Sequence, residues 1–295
     1  MTSTPHRRGL SDAQFGMILA LPAALFFLTI VLYPFGNSLI MSLFNRSLIY
    51  PRDEFIGLEN FRRILSDPNL PGVVWNTFMF VAGTTALSFT LGFLWALLLN
   101  QGYRGSGFLR GITLCAWIIP GAAIAFLWMW IFHGQYGVLN LVLRRLGITT
   151  QNYTWLGSGQ FAMLAVILAR GWQAMPWYML LLLGGLKGVN FDQVEAARID
   201  GAGNLRVLAN IVLPGMRQII SVTVLIGIIM SLQHFDIIWV MTQGGPARAT
   251  TTFSVEVYRH AFQNYDLGRA AAVGVLWSII LSVFIFLNLR ARRNE

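Results

Sequence analysis

The stretch Asn190–Pro214, NFDQVEAARIDGAGNLRVLANIVLP, is a polar segment between two long apolar runs. Asn190, with Gln193 three residues later, is typical of a helix N-cap and its partner. Gly201 and Gly203 are placed to end this helix, because glycine adopts the left-handed conformation of a C-terminal cap without strain. The stretch therefore begins with a short capped helix.

A second short helix is predicted over Asn204–Asn210, and it leads to Pro214. A proline there suits the first turn of the next membrane helix, where no backbone donor is needed. The first helix has only a modest apolar stripe, formed by Val194, Ala197 and Ile199. Asn190–Pro214 therefore predicts a structured connection between two membrane spans.

The composition indicates that most of the chain lies in lipid. Of its 295 residues, 56% are hydrophobic and 11% are charged, whereas soluble domains carry about 25% charged residues. A globular core could not bury this much apolar surface. The net charge is +9, but the arginines lie in loops between apolar runs and not on one soluble face, which argues against nucleic-acid binding.

Six apolar runs are each near the ~20 residues needed to cross a bilayer. They predict an all-α membrane protein with a single transmembrane domain over residues 1–295. The expected spans are approximately 15–43, 73–99, 111–132, 161–186, 216–241 and 267–289. Six crossings place both termini on one side, and the excess of basic residues on that side favours the cytoplasm for the termini and for Asn190–Pro214.

The chain lacks the motifs of several enzyme classes. It has no GxxxxGK[ST] phosphate loop, so we expect it to bind no ATP itself. It has no Cys/His cluster with metal-ligand spacing and no recognisable nucleophile motif. We therefore expect no catalytic residue, no metal and no cofactor on this chain, and any energy for transport must come from another polypeptide.

Polar residues at membrane depth are functional candidates, because charge in lipid costs at least ~2.5 kcal/mol. Arg170 lies in the fourth span, and Gln173, Ala174 and Trp177 follow it on one helix face. Pro176 is expected to unwind this span toward a cavity.

In the fifth span, Ser231 and His234 are expected to share a face, with Gln233 and Asp236 nearby. One interpretation is that the two polar faces line a central cavity, where an aromatic ring such as Trp177 stacks on a bound solute. The other is that Arg170 pairs with Asp236 and the remaining polar groups hold helices together. The residues alone leave both open.

The spacing of one motif in the connecting segment resembles a known family. The segment contains Glu195-Ala196-Ala197, then three residues, Gly201, nine residues, Ile211, one residue and Leu213-Pro214. This pattern is similar to the EAA loop of binding-protein-dependent ABC importer permeases. This resemblance implies a type I ABC importer permease fold whose coupling helix docks into a cytoplasmic ATPase. The residues it assigns to ATPase coupling are Glu195, Ala196, Ala197, Asp200, Gly201, Ile211, Leu213 and Pro214.

Further stretches, including the WIIP sequence and Met241–Thr252, MTQGGPARATTT, resemble the carbohydrate class of this family. The resemblance implies a permease subunit of an ATP-driven sugar importer in the bacterial cytoplasmic membrane. Its implied partners are a second homologous permease, two ATPase subunits that bind ATP and Mg²⁺, and an extracytoplasmic solute-binding protein. The implied substrate-binding residues come from the fourth and fifth spans: Arg170, Gln173, Ala174, Trp177, Gly227, Ser231 and His234. Arg170 is unusual for a neutral sugar and raises the hypothesis of an anionic solute.

Two alternatives belong to other classes. A proton-coupled secondary transporter could use Asp236 as its carrier, but such transporters usually show inverted repeats with matching broken helices, which the sequence lacks. An intramembrane enzyme could use His234 and Asp236, but two residues apart in one helix their side chains are expected to point to different faces.

Overall fold

A computed structural model of the chain describes residues 11–50 and 53–293. It is largely helical, and its contacts divide the chain into two compact units. One unit comprises the two ends of the chain, Met1–Ser66 and Arg259–Glu295, and the other is Asp67–Tyr258. The single permease domain over residues 1–295 stays a prediction.

The unit formed by the chain ends contains two long apolar helical stretches and a small hairpin. Its elements are α1 (Asp12–Phe27), a π-helical turn (Leu28–Leu32), α2 (Tyr33–Met41), β1 (Phe44–Arg46), β2 (Asp53–Phe55), α3 (Glu59–Leu65), a π-helical turn (Arg259–Gln263) and α15 (Leu267–Arg293). Ala13–Met41 and Leu267–Asn288 are long and apolar enough to cross a membrane. The first π-helical turn directly precedes Pro34, whose ring and missing N–H disfavour regular α-helical bonding.

The hairpin of this unit is fixed by one buried amide. β1 and β2 pair antiparallel, with Phe44 opposite Phe55. Asn60 in α3 donates hydrogen bonds of 2.9 Å to the carbonyls of Ser42 and Phe44. The segment after the first span is therefore a folded structure, although its composition is polar.

The second unit carries the long helical pair and the polar connection. Its elements are α4 (Leu70–Leu99), α5 (Ser106–Ile118), α6 (Gly121–Ile131), α7 (Val138–Arg145), α8 (Gly159–Lys187), α9 (Phe191–Ile199), α10 (Asn204–Val207), a π-helical turn (Leu208–Val212), α11 (Leu213–Gly215), α12 (Arg217–Leu232), α13 (Asp236–Thr242) and α14 (Phe253–Tyr258). α4 and α8 confirm the second and fourth predicted spans.

The third predicted span is bent within its length, and a second bend lies at the N-terminal boundary of the fifth predicted span. Residues 106–118 and 121–131 meet at 98°, and residues 204–215 and 217–232 meet at 72°. Counting each bent pair as one span gives six among the described residues. The third span breaks where Ile119 adopts an extended conformation before Pro120, since a residue that precedes proline is disfavoured in the α region.

The predicted fifth span, 216–241, contains two helices in place of one. α12 ends at Leu232, and α13 begins at Asp236. Within the break, the carbonyl of His234 accepts a 2.8 Å hydrogen bond from the Ser254 hydroxyl. This bond replaces the helical partner that the carbonyl loses at the break, so the interruption costs less at membrane depth.

The main contact of this unit is between α4 and α8, where small residues allow the backbones to approach. A Cβ atom at Gly92 would lie 2.7 Å from Tyr178 Cβ and 2.9 Å from the Met179 backbone nitrogen. The predicted unwinding at Pro176 does not occur, because α8 is continuous through it. One turn earlier, the Ser88 hydroxyl donates to the Gly171 carbonyl at 3.1 Å, which supports the helix near the proline.

Candidate functional site

The polar connection folds as a capped helix, as its sequence indicates. The Asn190 side chain accepts a 2.9 Å hydrogen bond from the Asp192 N–H, so the cap uses the second helical residue and not Gln193. At the other end, Gly201 adopts φ +85°. Gly203 instead has φ −69° and ψ 160° and caps the start of α10. The prediction of a left-handed cap is therefore confirmed for Gly201 and wrong for Gly203.

The segment after the capped helix differs from its prediction. α10 covers Asn204–Val207 and continues as a π-helical turn, Leu208–Val212, where a single helix to Asn210 was expected. Pro214 lies in the first turn of the one-turn helix α11, ahead of the 72° bend, and not in the membrane helix α12 itself. The last three residues of the EAA-like motif therefore lie on a different segment from α9: Ile211, Leu213 and Pro214.

α9 exposes large apolar side chains although it belongs to a polar loop. Phe191 is 70% exposed and Ile199 is 81% exposed, and Leu205 at the start of α10 is 82% exposed. Ile199 therefore does not lie on the predicted apolar stripe with Val194 and Ala197, which are half-buried against the rest of the unit. Exposed large apolar side chains are typical of a surface that contacts another protein or the membrane.

The predicted coupling residues are accessible on this surface. Glu195, Ala196, Asp200 and Gly201 are exposed. Among the described residues, Glu195 makes no ion pair. A groove of about 460 Å³ lies between α9 and the C-terminal ends of α4 and α8. α9 is therefore held mainly through its ends, while its outer face is free to contact a partner.

The polar residues of α8 form a chain of hydrogen bonds. Arg170 is 7% exposed, and its Nη1 donates to Gln173 Oε1 at 2.9 Å. Gln173 Nε2 in turn donates to the Ile119 carbonyl at 3.1 Å. The break between α5 and α6 leaves this carbonyl without a helical partner, and Gln173 satisfies it.

The predicted Arg170–Asp236 ion pair does not form. Within the part of the chain that the structure describes, no carboxylate lies within 4.0 Å of the guanidinium. Asp236 Oδ1 instead lies 3.0 Å from His234 Nε2. The two atoms are close, although their geometry falls outside that of a well-aligned hydrogen bond.

The His234–Asp236 contact also corrects two expectations about the fifth span. His234 does not share a helix face with Ser231, because it lies beyond the end of α12. His234 and Asp236 face each other because the chain turns between α12 and α13. The Asp236 carboxylate lies directly against Gly121 at the start of α6, where a Cβ atom would clash with it.

The remaining predicted substrate residues belong to helix packing around one aromatic ring. Gly227 in α12 lies against the Tyr178 hydroxyl so closely that no side chain would fit. Ala174 is buried in the same cluster, and Trp177 packs against it with its ring 5.0 Å from that of Tyr178. Ser231 is buried and lies 3.3 Å from the Thr84 hydroxyl of α4. Substrate contact by any of these residues stays a prediction.

Sequence reasoning missed Tyr178 and the role of Met241–Thr252. Tyr178 lies eight residues after Arg170, the spacing of one helix face, so its position was available from periodicity. The fold of Met241–Thr252 was not: Thr250 and Thr251 are fully buried, and Thr251 Oγ1 donates to the Gly244 carbonyl at 2.9 Å. Asn76 Nδ2 of α4 donates to the Arg248 carbonyl at 2.8 Å, a contact that no local pattern predicts.

Comparisons with known proteins find relatives over nearly the whole chain. Residues 88–295 match the family described as binding-protein-dependent transport system inner membrane component. The chain is 32% identical over 282 residues to the trehalose/maltose transport system permease protein MalF of Thermococcus litoralis, covering 96% of this chain and 95% of that protein. It is 33% identical over 287 residues to the sulfoquinovosyl glycerol transport system permease protein SmoG of Agrobacterium fabrum, covering 97% and 92%.

A solved structure shows the same fold. It is a bacterial alginate ABC transporter in complex with an alginate pentasaccharide-bound periplasmic protein. One of its chains is similar to this one with a TM-score of 0.81 and 20% sequence identity, covering 95% of this chain and 94% of that chain. The overall fold of this chain is therefore one that occurs in a solved ABC transporter.

Proposed function

The chain belongs to the family of binding-protein-dependent transport system inner membrane components and is a multi-pass permease subunit; from that premise we propose that it couples an ATPase partner to the import of a sugar or sugar derivative. The proposed system contains a second homologous permease, two ATPase subunits and an extracytoplasmic solute-binding protein. ATP and Mg²⁺ bind to the ATPase subunits. The proposed location is a bacterial cytoplasmic membrane, with both termini in the cytoplasm.

The observation that carries the coupling role is the exposed face of α9. Phe191 and Ile199 of α9, and Leu205 at the start of α10, are large apolar side chains that are mostly exposed. Such exposure is typical of a surface that a partner covers. Glu195 on the same helix adds a carboxylate that is free to meet a basic group. In the proposed cycle, ATP-driven closure of the ATPase subunits moves α9, and the movement tilts the spans between inward-facing and outward-facing states.

The class of solute rests on the relatives. One is a trehalose/maltose permease and another a sulfoquinovosyl glycerol permease, so a sugar or sugar derivative is the proposed cargo. The polar cluster of Arg170, Gln173, Ser231 and His234 is the proposed site of solute contact. Nothing observed favours the secondary transporter or the enzyme, and family membership makes the chain a transport subunit and not an enzyme.

Co-purification of the intact membrane complex tests the coupling role. Gly201→Asp should lose the ATPase partner, because aspartate is strained at φ +85° and the helix end would shift. Gly203→Asp is the matched control, since Gly203 occupies an N-cap position with open space around it where aspartate is favoured. Glu195→Lys should also lose the partner, while Gln193→Ala on the same helix should keep it.

Two outcomes would contradict the proposal. The first is full retention of the ATPase by both Glu195→Lys and Gly201→Asp. The second is equal loss in the Gly203→Asp control, which would show that the segment responds to any substitution and not to the coupling geometry.

A further inference from the structure

Arg170 is a buried cation at membrane depth. It lies near the middle of the α8 span and is only 7% exposed. Charged side chains in such positions are rare and normally pair with another charge or mark a substrate pathway. A buried charge that lacks a partner is strongly destabilising, so the environment of the guanidinium indicates what it is there to bind.

The protein satisfies this guanidinium only in part. Among residues 11–50 and 53–293, Arg170 donates one hydrogen bond, to Gln173 Oε1 at 2.9 Å, and its Nε is buried without an acceptor. Gln173 is a neutral group, and its amide orientation is fixed because its Nε2 donates to the Ile119 carbonyl. The hydrogen bonding around Arg170 is therefore ordered but leaves the positive charge uncompensated.

Asp236 does not supply the missing charge. Its carboxylate lies beyond ion-pair distance of Arg170 and contacts His234 at 3.0 Å. Its effect on Arg170 is therefore a longer-range Coulomb interaction.

A further donor lies on the same face of α8. The Tyr178 hydroxyl, two turns after Arg170, is buried without a hydrogen bond of good geometry, although Thr85 approaches it. The guanidinium of Arg170 therefore keeps unused donors on this face, for which an anion with several acceptor oxygens is the complementary ligand.

We propose that the transported solute carries an anionic group, such as a carboxylate, phosphate or sulfonate, and that Arg170 binds this group during passage. The inference rests on the proposed function, since it requires that solute reaches the polar cluster. It makes Arg170 the residue that determines charge specificity. When the spans tilt and the anion leaves, Arg170 keeps its hydrogen bond to Gln173. The guanidinium is therefore never left without a partner, and release of the anion costs less.

Uptake of matched solute pairs tests this proposal in cells that carry the complete transport system. The pairs are glycerol 3-phosphate with glycerol, glucuronate with glucose, and sulfoquinovose with glucose. The wild-type system should import an anionic member better than its neutral counterpart. Arg170→Gln should lower uptake of that anion about 10- to 100-fold, the loss expected for a charged hydrogen bond, and Arg170→Lys should retain more of it. Arg104→Gln, which removes an exposed arginine, is the matched control and should keep wild-type uptake.

Loss of the anion preference must be separated from loss of assembly. The purified Arg170→Gln complex should retain the ATPase subunits and their solute-free ATP hydrolysis. Import of no anionic member by the wild-type system, or unchanged anion uptake by Arg170→Gln, would overturn the proposal. Neither result would affect the coupling role, which the Glu195, Gly201 and Gly203 variants test separately.

Discussion

At the scale of single residues, buried amides organise segments that the sequence marks only as loops. Asn140 in α7 is almost completely buried, and its Nδ2 donates to the carbonyls of Gly134 and Tyr153 at 2.9 and 3.0 Å. Its Oδ1 accepts from the Tyr153 N–H and from Trp155 Nε1 at 3.2 and 2.9 Å. One side chain thus connects both sides of the segment between α6 and α8.

Asn140→Ala should destabilise the protein by about 3 kcal/mol, because the change leaves several buried polar groups without partners. Asn152→Ala is the matched control, since Asn152 is exposed and makes one weak bond of 3.4 Å to the Gln135 carbonyl. The thermal unfolding midpoint of the purified complex should fall for Asn140→Ala and stay near the wild-type value for Asn152→Ala. An equal fall in both variants would contradict the role assigned to Asn140.

Residue-level prediction from the sequence succeeded where the signal is local. Asn190 caps α9 and Gly201 ends it because each needs only its near neighbours to define its backbone conformation. His234 and Asp236 were assigned to different faces, since their two-residue spacing was interpreted within a continuous helix. Their contact exists because the chain breaks there, and the break depends on Ser254 in a distant segment.

At the scale of elements, the length of the apolar runs predicted where the long helices lie. It did not predict where the backbone bends between them. α4, α8 and α15 match their predicted spans within a few residues, because about 20 apolar residues have few other stable arrangements. The 98° bend after α5 was not predicted, although Pro120 marks it. Pro176 also lies in an apolar run but leaves α8 unbroken. A proline alone therefore does not decide between a bend and a straight helix.

The α4–α8 contact gives a prediction at this scale. Gly92→Ala should destabilise the pair by about 2 kcal/mol, because the added Cβ would press on the backbone of α8 at 2.9–3.0 Å. Gly72→Ala in the same helix is the control, as nothing lies within 4 Å of its added Cβ. There alanine should stabilise by up to about 1 kcal/mol through helix propensity. Thermal unfolding midpoints should therefore move in opposite directions, and a shift of the same sign in both variants would exclude the close contact.

At the scale of the whole molecule, the direction of the chain through the membrane decides whether the exposed face of α9 can meet an ATPase. The distribution of arginines favours a cytoplasmic position for α9, and the segment between α6 and α7 should then face the opposite side. Composition predicted a membrane protein, and the motif predicted its family, because neither prediction depends on which side chains contact each other in the fold. The sequence predicted that Arg170 and Gln173 share a helix face, but not that Gln173 meets the Ile119 carbonyl, since that contact exists only through the bend after α5.

Cysteine labelling tests this orientation directly. Cys115 is the single cysteine of the chain, so Cys115→Ser gives a background for adding one thiol at a time. Gln193→Cys on α9 and Gln135→Cys before α7 are both at exposed positions. In intact cells, a membrane-impermeant maleimide should label Gln135→Cys, and it should label Gln193→Cys only after the inner membrane is permeabilised. The reverse pattern would place α9 outside, beyond the reach of any cytoplasmic ATPase, and no effect of Glu195→Lys on transport could then be attributed to coupling.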